Sequence, residues 1–273
     1  MPRPLAPATV ARLLNDFRAA LTAAALRYKL DLAPLIWATL KAPEAPGRAR
    51  ALQILPNADV RRIVDAAREY CPDFGALVLL MAATGARFGQ LARITVADFQ
   101  PGNARLMVPA SHKGRVAKAK PSIAVPLSPD VVAALRPLAA GRTGFEPLLT
   151  RWHNAKVSPT VSNAFTTWKR DGRRPWLDSS EVTRPWSLTL AKTGLQKGLV
   201  PYCLRHSSIV RGLNAGLPVR LVGAAHDTST AMVEAHYSAY IVDASEELLR
   251  RAMMPMASAE VTILAPGNAV LVA

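Results

Sequence analysis

The run Phe74–Ala83, FGALVLLMAA, carries no charge on any side. A helix that is apolar all round has no face to turn to water, so other elements must enclose it. One such segment obliges the chain around it to build a single large core. The run stops at Thr84-Gly85-Ala86-Arg87, where glycine breaks the helix and an arginine follows at once. With 273 residues, half of them apolar, there is chain enough for one large domain and a small appendage.

Periodicity places the other elements around that helix. Residues 8–28 repeat Val10, Leu13, Leu14, Phe17 and Leu21 at three- and four-residue steps, one amphipathic helix. A linker rich in Pro and small residues follows, with a short apolar anchor at Leu35–Trp37. Asn57 or Asp59 can cap a helix through Tyr70 with Val60, Ile63 and Val64 inward. ITVADF suggests a brief strand. ARLMVPAS and PSIAVPLS suggest two strands flanking HKGRVAKAK, a turn with four Lys or Arg and no acid. Pro129–Ala139 restarts helix, with Pro129 suited to its first turn and Val132 and Leu135 inward. Residues 141–159 are expected to be loop, 161–170 a helix, KRDGRRPW a basic loop and 186–196 a further helix. Gly212 and Gly216-Leu217-Pro218 punctuate the apolar pattern that follows, and Asp227 or Thr228 offers the N-cap of a last helix into Tyr237. The tail holds SEELLRRAMM, an amphipathic helix, and VTIL, a strand. The whole is mainly α with a small antiparallel β-sheet.

Charge points outward from the fold. Lys and Arg number 34 against 19 Asp and Glu, a net charge of +15. That balance calls for a polyanionic partner, and nucleic acid comes before membrane because no apolar run approaches the roughly eighteen residues of a span. Cys71 and Cys203 stand far apart, and MPRPLAPATV has no leader character, which fits a cytoplasmic protein with reduced thiols. None of the five histidines has zinc-like spacing with a cysteine, so neither a metal site nor a cofactor is expected.

Pro201–Tyr240 concentrates the chemistry: Arg205, then His206, His226 and His236, then Tyr237 and Tyr240. A phenol ordinarily has a pKa of about 10, so only about a thousandth is phenolate at pH 7. Cations around it, and a target anion that the same cations hold, would make it a useful nucleophile. A phosphodiester in a basic cleft meets both conditions.

YCLRHSSIVRGLNAG followed by LVGAAHDTSTAMVEAHYSAY resembles the carboxy-terminal signature of tyrosine recombinases of the phage-integrase type. ATGARFGQLARI is similar to that family's first-arginine box at Thr84, Gly85, Arg87 and Leu91. The resemblance implies the family's catalytic-domain fold and a set of roles. Arg87 and Arg205 would hold the non-bridging phosphate oxygens, to which a planar, permanently charged guanidinium is suited. Lys113, on the basic hairpin, would protonate the departing 5′ oxygen, with Lys118 and Lys120 as weaker candidates. His226 would hydrogen-bond the phosphate, and Tyr237 would attack to form a 3′-phosphotyrosine bond. The family match, with the tyrosine some ten residues after the second-motif histidine, selects Tyr237 over Tyr240.

Two positions depart from the pattern. Tyr202 stands where the family has a histidine base, and a phenol can bond a phosphate oxygen but is a poor base at neutral pH. Gln90 stands where the family has Glu or Asp, so a charge that orients the cations is missing. His206 is expected to be a structural partner holding its helix, and His236 to have no catalytic part.

The resemblance divides the chain into 1–50, a remnant of an amino-terminal helical DNA-binding domain plus linker, 51–253, the catalytic domain, and 254–273, a tail. Its implied partners are double-stranded DNA and other copies of the chain, a tetramer on DNA. Its implied activity is DNA cleavage and rejoining without metal or ATP, for integration or excision of a mobile element. The alternative is a recombinase-derived DNA-binding protein that no longer cuts.

Overall fold

The computed structural model describes residue 5 and residues 7–29, 36–41, 53–111, 121–158, 165–243, 249–250 and 252–253. Two units are distinguished, residues 1–52 and residues 53–273. In the first, α1 (Pro7–Arg27) realises the amphipathic helix expected over 8–28. A 3-10 turn, Ile36–Thr39, holds Trp37 against it. The Trp37 carbonyl accepts from Arg18 Nε (2.9 Å), and the Trp37 indole N–H donates to Thr22 Oγ1 (3.2 Å). Of the expected anchor Leu35–Trp37, Trp37 makes these contacts, while Leu35 lies outside the described residues.

In the second unit the all-apolar run becomes α3 (Pro72–Thr84). Leu77, Val78 and Leu80 are 0% exposed, as a helix without a polar face requires. Gly85 ends it in the left-handed region (φ 62°), and the short α4 (Phe88–Leu91) follows. Before it, α2 (Asn57–Tyr70) buries Val60, Ile63 and Val64. Its cap is not Asn57 or Asp59. Pro56 takes that position, its carbonyl accepting from Asp59 and Val60 N–H, with no side-chain cap bond.

The strand expected in ITVADF is mostly a 3-10 turn, Val96–Asp98. Asp98 accepts from both Thr95 N–H and Thr95 Oγ1 at 2.9 Å, and that local closure outcompetes extended backbone. Only β1 (Phe99–Gln100) is strand, and it pairs antiparallel with β2 (Arg105–Val108), which pairs with β3 (Ile123–Pro126). These are the two strands expected around the basic turn, whose residues 112–120 lie outside the described residues. Next, α5 (Pro129–Ala139) begins at its proline as expected.

Residues 141–149 are loop as expected, but beyond them the structure departs most from expectation. Part of the expected loop, the described part of the helix expected over 161–170 and the basic loop give way to a hairpin, β4 (Thr150–Val157) against β5 (Thr167–Pro175), with Trp152 opposite Arg173 and Lys156 opposite Trp168; residues 159–164 lie outside the described residues. Trp152 receives Arg170 and Arg173 on its ring at 5.3 and 5.5 Å, cross-strand contacts that a helix could not make. The next helix, α6 (Ser180–Thr193), starts earlier than expected and runs through Pro185. Glu181 secures its start by accepting from Leu177 N–H and pairing with Arg151 of β4.

Helix α7 (Cys203–Asn214) joins two apolar clusters. Cys203 and Leu204 belong to the large one built on α2 and α3; Ile209, Val210 and Leu213 belong to a second with Val222, Val233 and Tyr237. Every residue from Cys203 to Val210 is buried. Gly212 does not end this helix but lies within it, close under Val222, and the turn comes at Gly216 (φ 78°). Then come α8 (Val219–Ala225) and α9 (Thr230–Asp243). Of the expected tail helix only Leu249, Arg250, Ala252 and Met253 are described, the first three of them helical, and the VTIL strand lies outside the described residues.

Candidate active site

Arg87 and Arg205 reach the same place from different elements. Arg87 sits between α3 and α4, delivered there by the left-handed turn at Gly85. Its Nη1 donates to the Asp227 carbonyl (3.2 Å) and pairs with the Asp227 carboxylate (3.3 Å). Arg205, 3% exposed on α7, donates Nη1–H to the Gly85 carbonyl (2.9 Å) and Nη2–H to the His226 carbonyl. Burial lowers its pKa, and the nearby Arg87 cation pushes the same way while Tyr202 and Tyr237 push back. A phosphate brought to this place would relieve that repulsion.

Gly85 is fitted to this junction by what it lacks. A Cβ there would lie 2.6 Å from His226 Cδ2 and 2.9 Å from Ser208 Cβ. Its positive φ and this close approach leave no room for a side chain.

His226 closes α8 with both ring nitrogens engaged. Nδ1–H donates to the Val222 carbonyl (2.9 Å), so in the neutral ring Nε2 accepts from the Ser208 hydroxyl (3.0 Å). Burial, and then the Arg205, Arg211 and Arg87 cations, lower its pKa from 6.5 to about 4. What it contributes to the site in this arrangement is the carbonyl that holds Arg205.

That pKa sets a stability window. The folded value lies below the unfolded one, so the neutral ring's contribution is complete above pH 6.5 and is lost as pH falls from 6.5 towards 4. The loss is on the order of 3 kcal/mol across the window. His226→Gln keeps hydrogen-bonding capacity without titrating. Denaturant unfolding at pH 7 and pH 5 is expected to show a smaller pH difference for the variant than for wild type. Equal differences would remove His226 as the cause.

Tyr237 lies at a break in α9, where φ −135° and ψ 15° interrupt the helical path. Its ring is 5% exposed in the second cluster, and its hydroxyl lies 2.5 Å from His206 Nδ1. His206 is itself 4% exposed and follows Arg205 directly. The Tyr202 ring, 42% exposed, stands edge-on to His206 at 4.9 Å, with the Arg205 guanidinium 5.9 Å from its centre. Tyr240, by contrast, is half-buried at the margin of the cluster. Burial pushes the Cys203 thiol up to about 12, which makes it a poor nucleophile.

Arg87, Tyr202 and Arg205 line one cleft of about 950 Å³ together with Lys197 and with Trp186 and Leu190 of α6. Trp186 Nε1 donates to the Leu199 carbonyl (2.8 Å) and so fixes the loop that ends at Tyr202.

Of the residues singled out in the sequence, Tyr202, Arg87, Arg205, His226 and Tyr237 are thus gathered, and Lys113 lies outside the described residues. Two further residues in contact with them have other parts in the sequence reading: His206, expected to be structural, and Asp227, offered with Thr228 as a helix N-cap. The cap of α9 is Ser229, whose hydroxyl accepts from Met232 N–H (3.2 Å). No short-range pattern marks either residue, because their partners are 31 and 140 positions away. Among the described residues no group of three or more His, Cys, Asp or Glu is placed to hold a metal, and no helix is long and apolar enough to cross a membrane.

The mainly helical unit with its small antiparallel sheet has the fold of tyrosine-recombinase catalytic domains. XerA recombinase is similar with a TM-score of 0.50 at 20% identity, over 93% of this chain and 86% of that one. The Tn1549 transposon integrase, solved in complex with transposon right end DNA, gives 0.60 at 15%, over 91% and 80%. A lambda integrase dimer bound to a core site gives 0.53 at 17%, over 88% and 82%. No curated protein matches the sequence. Residues 53–240 match the phage integrase family, and the chain belongs to that family.

Proposed function

We propose that this protein is a site-specific DNA recombinase that cuts and rejoins strands through a 3′-phosphotyrosine intermediate, in the service of a mobile element. The observation that carries the reading is Tyr237: a buried phenol whose hydroxyl meets a histidine one residue from a buried arginine. Arg87 and Arg205 hold the scissile phosphate and the charge that grows on it in the transition state. The Tyr237 oxygen attacks phosphorus and its proton passes to His206. The bond from phosphorus to the 5′ oxygen breaks, and that oxygen takes a proton from Lys113. The phosphotyrosine bond keeps the energy of the broken phosphodiester, so a 5′ hydroxyl can reverse the step without ATP. Residues 51–253 form the catalytic unit in this reading, and copies of the chain assemble on duplex DNA as a tetramer.

Covalent capture on a nicked duplex carrying the element's attachment site, sought in the DNA flanking the coding region, tests the proposal. A second reading, a DNA-binding protein that no longer cuts, is favoured by one observation: both His226 ring nitrogens are engaged inside the protein. Binding without a covalent product on a proven site would select it.

Both readings need a phosphate-binding surface. The β4–β5 ribbon carries Arg151, Lys156, Lys169, Arg170, Arg173 and Arg174 against one acid, Asp171. Arg151, Arg173 and Arg174 pair with Glu181, Asp73 and Asp171, while Lys156, Lys169 and Arg170 are exposed. DNA affinity is expected to fall steeply with salt. Changing those three exposed cations to Gln should flatten the log–log slope by about 0.9 for each phosphate that the ribbon no longer neutralises. An unchanged slope would take the ribbon out of the interface.

A further inference from the structure

Arg87 and Arg205 converge on one place, and like charges so arranged need an anion to hold them before any phosphate arrives. In the first-arginine box that position is an amide: Gln90, 2% exposed, accepts from Arg87 N–H at its Oε1 (3.1 Å) and donates Nε2–H to the Pro109 carbonyl (2.8 Å). The carboxylate comes from elsewhere. Asp227 Oδ2, on a side chain 14% exposed, meets Arg87 Nη1 (3.3 Å), accepts from Ser111 N–H (2.8 Å) and lies 3.4 Å from Gln90 Nε2. Ser111 is the last described residue before the basic turn 112–120.

We propose that Asp227 is a positioning residue for the reaction: its carboxylate supplies the charge that Gln90 lacks, orienting Arg87 and tying the base of the basic hairpin to the second motif. The inference rests on the recombinase reading above. The backbone at Asp227 has φ 48°, a conformation that non-glycine residues other than Asn and Asp adopt only rarely. At this turn the chain throws the carboxylate back towards α4 and away from the helix that follows. A backbone role alone would be met as well by asparagine, which tolerates the same φ and keeps an oxygen for Ser111 N–H. A charge role would not.

The test is therefore Asp227→Asn, alone and with Gln90→Glu, in full-length protein. On the nicked duplex, Asp227→Asn is expected to slow covalent-product formation by tenfold to a hundredfold, about the effect of misplacing a catalytic group by an ångström. Gln90→Glu with Asp227→Asn, which moves the carboxylate to the other end of the same contact, is expected to recover most of that rate. Asp227→Asn as fast as wild type, or a double variant no faster than Asp227→Asn, overturns the proposal. A second measurement stands apart from activity. Melting temperatures of Arg87→Gln, Asp227→Asn and their double variant are expected to show a smaller loss in the double than the sum of the singles. Strict additivity overturns the pairing even if wild type gives no covalent product, an outcome that by itself would count against the recombinase reading instead.

Discussion

Tyr237→Phe is expected to abolish the covalent protein–DNA product while DNA binding persists. The substitution removes one oxygen, and that oxygen is the one placed at His206 Nδ1. On a nicked attachment-site duplex the wild-type chain should give a band that survives denaturant and is shifted by the mass of the attached DNA. Taking this partner from the buried His206 Nδ1 is expected to lower stability by about 1–3 kcal/mol, which leaves the fold intact. Tyr240→Phe should keep the band, because Tyr240 lies at the margin of the second cluster. His206→Gln is the companion experiment: it should slow product formation where the proton must leave the phenol. A Tyr237→Phe protein that still becomes attached would overturn the assignment of the nucleophile.

Arg205→Lys carries the other large effect. The guanidinium bridges the Gly85 and His226 carbonyls, so it joins the first-arginine box to the second motif while facing the cleft. An ammonium is a point charge on a flexible stem. It cannot satisfy both carbonyls and offer a planar fork to a phosphate. Strand cleavage is expected to fall by about a hundredfold to a thousandfold, the scale of losing one preorganised donor to a transition-state anion. Stability should fall by about 1–3 kcal/mol for a carbonyl left without its donor. DNA binding, carried by many exposed cations, should change little. Cleavage by Arg205→Lys at the wild-type rate would show that Arg205 holds the fold and not the phosphate.

Features that depend on short range are legible in the sequence. The all-apolar run has to be central, and α3 is. The spacing of Val60, Ile63 and Val64, the strands on either side of the basic turn, and the ordered boxes at Arg87, Arg205 and Tyr237 are all readable, since each is a pattern within a few tens of residues. Local competition defeats some expectations. Asp98 closes a turn on Thr95, and Gly212 stays helical because it lets α7 approach Val222. The β4–β5 ribbon is illegible for a different reason. Its strands are exposed and cation-rich, and only cross-strand pairing such as Trp152 with Arg173 makes extended backbone favourable there. The inner chemistry of the site belongs to the tertiary structure. Nothing in the spacing of His206 and Tyr237 says that a phenol and an imidazole will meet, and nothing near Asp227 says that its carboxylate will serve Arg87 and not the helix beginning beside it. Side-chain charge and hydrogen bonding choose among partners only after the core has brought those partners within about 3 Å.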